Sequence, residues 1–137
     1  RALFMEHLNM AVKRAKRRDD YHFAVLYLDI DRFKLVNDSL GHSVGDSLLG
    51  AFAKRIQESL RDIDILGRFG GDEFTLLLPE VRTRDDVVVI AEKILNRLSE
   101  PFVIDGHELF VTASIGHMPS TCTNTGLSRQ IPLMNSS

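Results

Sequence analysis

Apolar residues recur along the chain at two periods, helical in some stretches and alternating or continuous in others, and eight elements follow from them. Phe4, Leu8, Ala11, Val12 and Ala15 fall at helical spacing and predict an amphipathic helix over residues 3–18. Residues 22–30 (HFAVLYLDI) read as a buried central strand. Residues 37–46 are turn-rich, with Gly41 and Gly45 as breakers. Ser43 and Asp46 then have the spacing of a capping box, and Leu49, Phe52, Ala53, Ile56 and Leu60 make the core stripe of a helix from Val44 to about Arg61. Two strand-like runs, Ile63 with Ile65-Leu66 and Phe74 to Leu78, flank Gly70-Gly71 and predict a hairpin whose two-residue turn needs positive φ.

Thr83 and Asp86 mark a second capping box, followed by a stripe of Val87, Ile90, Ala91, Ile94 and Leu98. The run Val87 to Ile90 has strand propensity, but the cap and the longer period favour a helix. Residues 102–104 and 107–117 read as a hairpin about Asp105-Gly106. After Met118 the periodicity is lost, and residues 121–137 read as loop or tail. The order α-β-α-β-β-α-β-β implies an α/β (α+β) sandwich, a mixed central sheet flanked by helices.

A chain of 137 residues fits one domain with a core of its own, taken as residues 1–118, with 119–137 as the tail. At 44% apolar and 26% charged it is neither disordered nor fibrous, and a net charge of −2 argues against a nucleic-acid partner. The single cysteine, Cys122, rules out an internal disulfide and suits a reducing compartment. No apolar run is long enough to span a bilayer, so a cytoplasmic location is expected, with anchoring through other segments of a longer chain left open.

Three places carry chemistry beyond packing. Asp29 sits inside an apolar strand, where a carboxylate is costly unless paired or bound to a cation. Asp31, just before Arg32-Phe33-Lys34, either joins that site or caps the next helix. Asp72 and Glu73 follow two glycines that let a bulky ligand approach the backbone, and adjacent acids suit a hard cation such as Mg²⁺; an ordinary charged hairpin tip has the same composition. Asp46 has a structural alternative as a helix-start acid, and Arg61 and Asp64 as helix-end and turn residues. The basic cluster Lys13, Arg14, Lys16, Arg17 and Arg18 reads as a solvated helix end, and His42, His107 and His117 lack metal-ligand spacing.

Gly70-Gly71-Asp72-Glu73-Phe74 resembles the signature of the GGDEF family, the diguanylate cyclases. Upstream, Asp29-Ile30-Asp31-Arg32-Phe33-Lys34-Leu35-Val36-Asn37-Asp38-Ser39-Leu40-Gly41-His42-Ser43-Val44-Gly45-Asp46 is similar to the family's D-x-D-x-F-K-x-x-N-D-x-x-G-H-x-x-G-D block. The likeness runs from about residue 3 to about 117. It implies a fold like the palm of nucleotidyl cyclases and polymerases, and condensation of two GTP into cyclic di-GMP and two pyrophosphates, in bacterial second-messenger signalling.

On that resemblance, two Mg²⁺ (or Mn²⁺) per active site would be held by Asp29, Asp72 and the carbonyl of Ile30. Glu73 would be a further acidic ligand or proton acceptor, and Lys34 would contact phosphates cradled by the backbone of residues 31–33. Asn37 and Asp46 would read guanine, which offers donors to their acceptor oxygens. Phe33 would line the substrate site, and Gly70 and Gly71 would leave room for the nucleotide. Arg61 and Asp64, with Arg68, match the R-x-x-D inhibitory site that binds the product. Catalysis would need a homodimer, because the product is twofold symmetric. A sensory domain would precede this piece, and a phosphodiesterase domain could follow. The resemblance also implies truncation: only Arg1 matches the segment that usually precedes the first helix, and the family's last helix, with its phosphate-contacting Lys and Arg, has no counterpart. That leaves a non-catalytic module binding GTP or cyclic di-GMP as the rival, and a polymerase-like or adenylyl cyclase palm as a second.

Overall fold

The computed structural model describes residues 2–119 and 133–135. The elements are α1 (Ala2–Arg17), β1 (Ala24–Ile30), α2 (Phe33–Leu40), α3 (His42–Glu58), β2 (Ile65–Arg68), β3 (Glu73–Leu78), α4 (Arg84–Leu98), β4 (Phe102–Ile104), β5 (His107–Leu109), β6 (Ala113–Pro119) and β7 (Leu133–Asn135). Five strands form one sheet in the order β2-β3-β1-β6-β7, and β4 and β5 form a separate ribbon.

Alternation along β1 sends its side chains to two different cores. Leu26, Leu28 and Ile30 join α3 and α4 in the larger one, where Phe52 is fully buried between Phe74 and Phe102 at ring-centroid distances of 5.5 and 6.1 Å. Truncating an aromatic so enclosed costs about 3–5 kcal/mol. Val25, on the opposite face, packs with Phe4 and Ala11 of α1 and with Tyr21, Phe23 and Leu77. The chain is therefore helices, sheet, helix, with β1 at the centre of the described sheet.

The helices at 2–17 and 84–98 follow their periodicity, and the Thr83–Asp86 capping box forms in both directions, Asp86 N–H to Thr83 Oγ1 and Thr83 N–H to Asp86 Oδ2. Five features differ from the sequence reading. Among the described residues every strand pairing is antiparallel, where a mixed sheet was read, because β3 inserts between β1 and β2 and keeps those two parallel strands apart.

Residues 33–40, partly read as turn, form α2, and the Ser43–Asp46 capping box is not made. Gly41 both closes α2, its N–H donating to Asn37 O, and opens α3 at φ +94°, so α3 starts one residue before Ser43 and ends at Glu58. The glycine pair does not make a two-residue turn: residues 69–72 span the gap, Phe69 N–H bonds Glu73 O, and neither Gly70 nor Gly71 has left-handed φ. The stretch 107–117 divides, β5 staying with β4 across the Asp105-Gly106 turn (φ 49° and 81°) while β6 joins the main sheet. Finally, β6 runs to Pro119 and residues 133–135 pair with it, so the tail is not wholly irregular; Cys122 and most of that tail lie outside the described residues, as does Arg1. No described helix is long and apolar enough to cross a membrane.

Candidate active site

One end of the sheet collects the acids. Asp29, next to last in β1, stands in register with Glu73 of β3 on one side and Ser114 of β6 on the other. Asp72 lies just before β3, close enough to share a hydrogen bond with Asp29. Although Asp29 reaches solvent, partial burial at the strand end pushes its carboxyl up to about 6, and the negative charge of Asp72, their shared hydrogen bond, Glu73 and Asp31 push the same way. Carboxylates crowded in this manner take up either a proton or a cation. A cavity of about 590 Å³ between α1 and this sheet end, walled by Phe4, Leu8, Tyr27 and Phe69, reaches both Asp29 and Glu73.

Asp31 does not cap α2. Its carboxylate instead accepts from Thr112 Oγ1 (2.7 Å, to Oδ2) and Ser114 Oγ (2.8 Å, to Oδ1), and its N–H donates to Thr112 O at 2.9 Å. Arg32 takes the cap position in a left-handed conformation, φ 59° and ψ 29°, with no side-chain cap bond. With the Asp31 N–H held on Thr112, it is not available to the phosphate cradle read from sequence.

The same bond orients a carbonyl. All described peptides are trans, so the Ile30 C=O points opposite to the Asp31 N–H. That N–H faces β6, hence the carbonyl faces the β3 side, where the register continues from Glu73 to Asp72. Asp29, Asp72 and the Ile30 carbonyl thus lie at the same end of the sheet, on the β3 side of β1. Among the described residues no three His, Cys, Asp or Glu side chains form a metal-holding group. Two carboxylates and one carbonyl nevertheless fit Mg²⁺, an oxygen-seeking ion that keeps several waters, and Mn²⁺ accepts the same donors.

On the other face of the sheet, α2 and α3 meet at Gly45. A Cβ there would collide with Asn37 Oδ1 and lie 3.3 Å from Phe33 Cζ. Asn37 Oδ1 is buried with no hydrogen-bond partner, an acceptor that wants a donor. Asp46, exposed, follows Gly45 in the first turns of α3. Phe33 is buried in the larger core, so it acts as a wall of this corner, while Lys34 is exposed at the start of α2. Glu73 folds over Gly70, its Oε2 3.3 Å from where a Cβ would stand.

Arg61 and Asp64 form a clasp. The Asp64 side chain is fully buried and accepts from Arg61 Nε and Nη2 (2.7 Å for the shortest) and from Arg61 N–H, while Nη2 also reaches Pro79 O. Arg68 does not join them. Its Nε and Nη2 donate to Gly70 O and Gly71 O at 2.7–3.3 Å, which pins the glycine loop. Arg68 pairs with Phe74 and Arg61 bonds Pro79, so the two lie toward opposite ends of β3, about 17 Å apart at roughly 3.4 Å per residue. Thr112 and Ser114 escaped the sequence reading because they lay inside a stretch read as one hairpin arm; two hydroxyls at i, i+2 were the available signal.

A family model described as "Diguanylate cyclase, GGDEF domain" matches residues 1–131. The chain is 47% identical over 116 residues to the bifunctional diguanylate cyclase/cyclic di-GMP phosphodiesterase MucR of Pseudomonas aeruginosa, covering 85% of this chain and 17% of that protein. Diguanylate cyclase TpbB of the same species is 38% identical, with 85% and 27% covered. The chain therefore spans only a fraction of either relative's length. Among solved structures, the GGDEF domain of TpbB superposes with a TM-score of 0.83 at 38% identity, covering 87% of this chain and 74% of that one. The GGDEF domain of DgcB from Caulobacter crescentus, in complex with c-di-GMP, gives 0.78 at 26% identity, with 87% and 71% covered.

Proposed function

This chain belongs to the GGDEF, or diguanylate cyclase, family, and on that premise we propose that it condenses two GTP into cyclic di-GMP with release of two pyrophosphates. The observation that carries the reading is the meeting of Asp29 and Asp72, from distant segments, beside the Ile30 carbonyl. In each half-reaction the 3′-oxygen of one GTP bonds the α-phosphorus of the other. The bond from that phosphorus to the β-phosphate oxygen breaks, and the hydroxyl proton leaves to a base, for which Glu73 at the loop edge is the candidate. Asp29, Asp72 and the Ile30 carbonyl would hold Mg²⁺, which would supply positive charge for the triphosphate and lower the pKa of the attacking hydroxyl.

The chain's own residues bind and orient. Asn37 Oδ1 and Asp46 accept from guanine N1–H and N2–H₂, which explains an acceptor left unpaired at Gly45. Lys34 meets the phosphates as a point charge, and the N–H groups of Arg32 and Phe33 at the mouth of α2 face them. Arg68 keeps the Gly70-Gly71 loop in one shape so that the base can lie over it. One chain presents one such site, so two copies meet face to face to close the ring.

Product feedback would act through Arg61 and Asp64. The Arg61 Nη1 is outside the clasp bonds and can reach a phosphate; Arg68, at the other end of β3, would take part only from a neighbouring copy. In the longer protein, a sensory domain and a phosphodiesterase domain are the proposed neighbours, the second in line with the name of MucR, which gives that relative both cyclase and phosphodiesterase functions. The test is incubation with GTP and Mg²⁺, followed by chromatography for cyclic di-GMP. Product that disappears in Asp72→Ala supports the cyclase. Tight GTP binding without product from a dimerised chain replaces it with a binding module.

A further inference from the structure

The Asp31 carboxylate is the one acid at this sheet end with both oxygens held by neutral hydroxyls, and it adjoins the carbonyl and carboxylate offered to the cation. Resting on the cation site just described, we propose that Thr112 and Ser114 are positioning residues for it: their hydroxyls anchor Asp31, and through the Ile30–Asp31 peptide they aim the Ile30 carbonyl toward Asp72.

The geometry forms a closed chain of constraints. Two hydroxyl donors from the β6 side fix the Asp31 side chain, and Thr112 O fixes its N–H, so the peptide plane cannot rotate. Because that plane also contains the Ile30 C=O, rotation would swing the carbonyl away from the β3 side. Arg32 is held left-handed, a conformation that a non-glycine residue keeps only where its neighbours over-determine it. Without the two hydroxyls, Asp31 retains a single backbone bond to resist relaxation of Arg32. Partners of this kind, which touch no ion themselves, set metal affinity about 10–100-fold in known sites.

The probe is Mn²⁺ alone, titrated into the 137-residue chain and read by paramagnetic broadening of the backbone amide signals around Asp29, which detects weak binding. Thr112→Val, which keeps the shape and removes the hydroxyl, is expected to raise the Mn²⁺ dissociation constant about tenfold. Asp31→Asn should do the same, and Thr112→Ser should stay within about twofold of the parent, a rescue that a purely steric role would not give. GTP binding measured in EDTA should fall by less than Mn²⁺ binding in each of the three. Thr112 is exposed, so its variants fold; Ser114→Ala added to Thr112→Val should weaken Mn²⁺ further. If Thr112→Val and Asp31→Asn both bind Mn²⁺ like the parent, the positioning role is wrong while the cation site stands. If the parent shows no saturable broadening that Asp29→Ala removes, the cation site itself falls, and this role with it.

Discussion

Replacing Arg61 by alanine tests the clasp apart from any role in feedback. Asp64 has no exposed side-chain surface, whereas the Arg61 side chain is 40% exposed. The substitution deletes the guanidinium bonds to both Asp64 oxygens and the bond to Pro79 O, but keeps the backbone donor from residue 61 to Asp64 Oδ2. Stranding one member of a fully buried ion pair costs about 3–5 kcal/mol. Water already reaches this guanidinium and one backbone bond survives, so we expect about 2 kcal/mol, equivalent to roughly 8 °C in Tm for a chain of this size. Urea unfolding followed by circular dichroism at neutral pH measures it. Arg61→Lys, which keeps the charge without the planar fork, should fall between parent and Arg61→Ala. A free energy for Arg61→Ala within about 0.5 kcal/mol of the parent would refute the clasp. The result also governs any feedback assay, since relief of inhibition by Arg61→Ala has meaning only below the lowered melting range.

Three further outcomes follow from other sites. Gly45→Ala pushes a methyl into Asn37 Oδ1, so KM for GTP should rise about tenfold or more and stability should fall by roughly 1–3 kcal/mol, with Asn37→Ala restoring the stability but not the binding; a normal KM in Gly45→Ala would remove this corner from the site. Asp29 titrates high in the folded chain, so its contribution to stability is present below the ordinary carboxylate range and is lost as pH rises through about 6. In the same window its Mn²⁺ affinity should climb as the proton leaves, and in Asp72→Ala the carboxyl should titrate closer to its ordinary value; an NMR titration of Asp29 still centred near 6 in Asp72→Ala would mean the two are not neighbours. Thr83→Ala should lower stability by about 1 kcal/mol through loss of the α4 cap, and an unchanged urea midpoint would show that the cap bond carries no weight.

The legible parts of the fold were those where one local signal decides. Thr83 and Asp86 announce α4 over a run of valines that propensity alone assigns to a strand, and Asp105-Gly106 announces its own turn. Tertiary context decided the others. Whether 107–117 is one strand or two depends on which sheet each half reaches, and the five-residue block Asn37 to Gly41 looks like loop until Phe33 anchors a helix against the core. For the site, Asp29 stood out because it interrupts an apolar strand, and Asp72 because it follows two glycines. The anchoring of Asp31 by hydroxyls from residues 112 and 114 depends on a pairing across some 80 positions of chain, which no local pattern encodes.

Gly41 has a consequence for how this domain tolerates change in length. It is the whole connection between the helix that carries Asn37 and the helix that carries Asp46. One residue added or removed inside α3 before Asp46 would turn that carboxylate by about 100° about the helix axis and move it about 1.5 Å along it. The distance between the two residues proposed to read the base is thus fixed by counting residues, and drift by insertion or deletion is closed to this segment even where substitution is not.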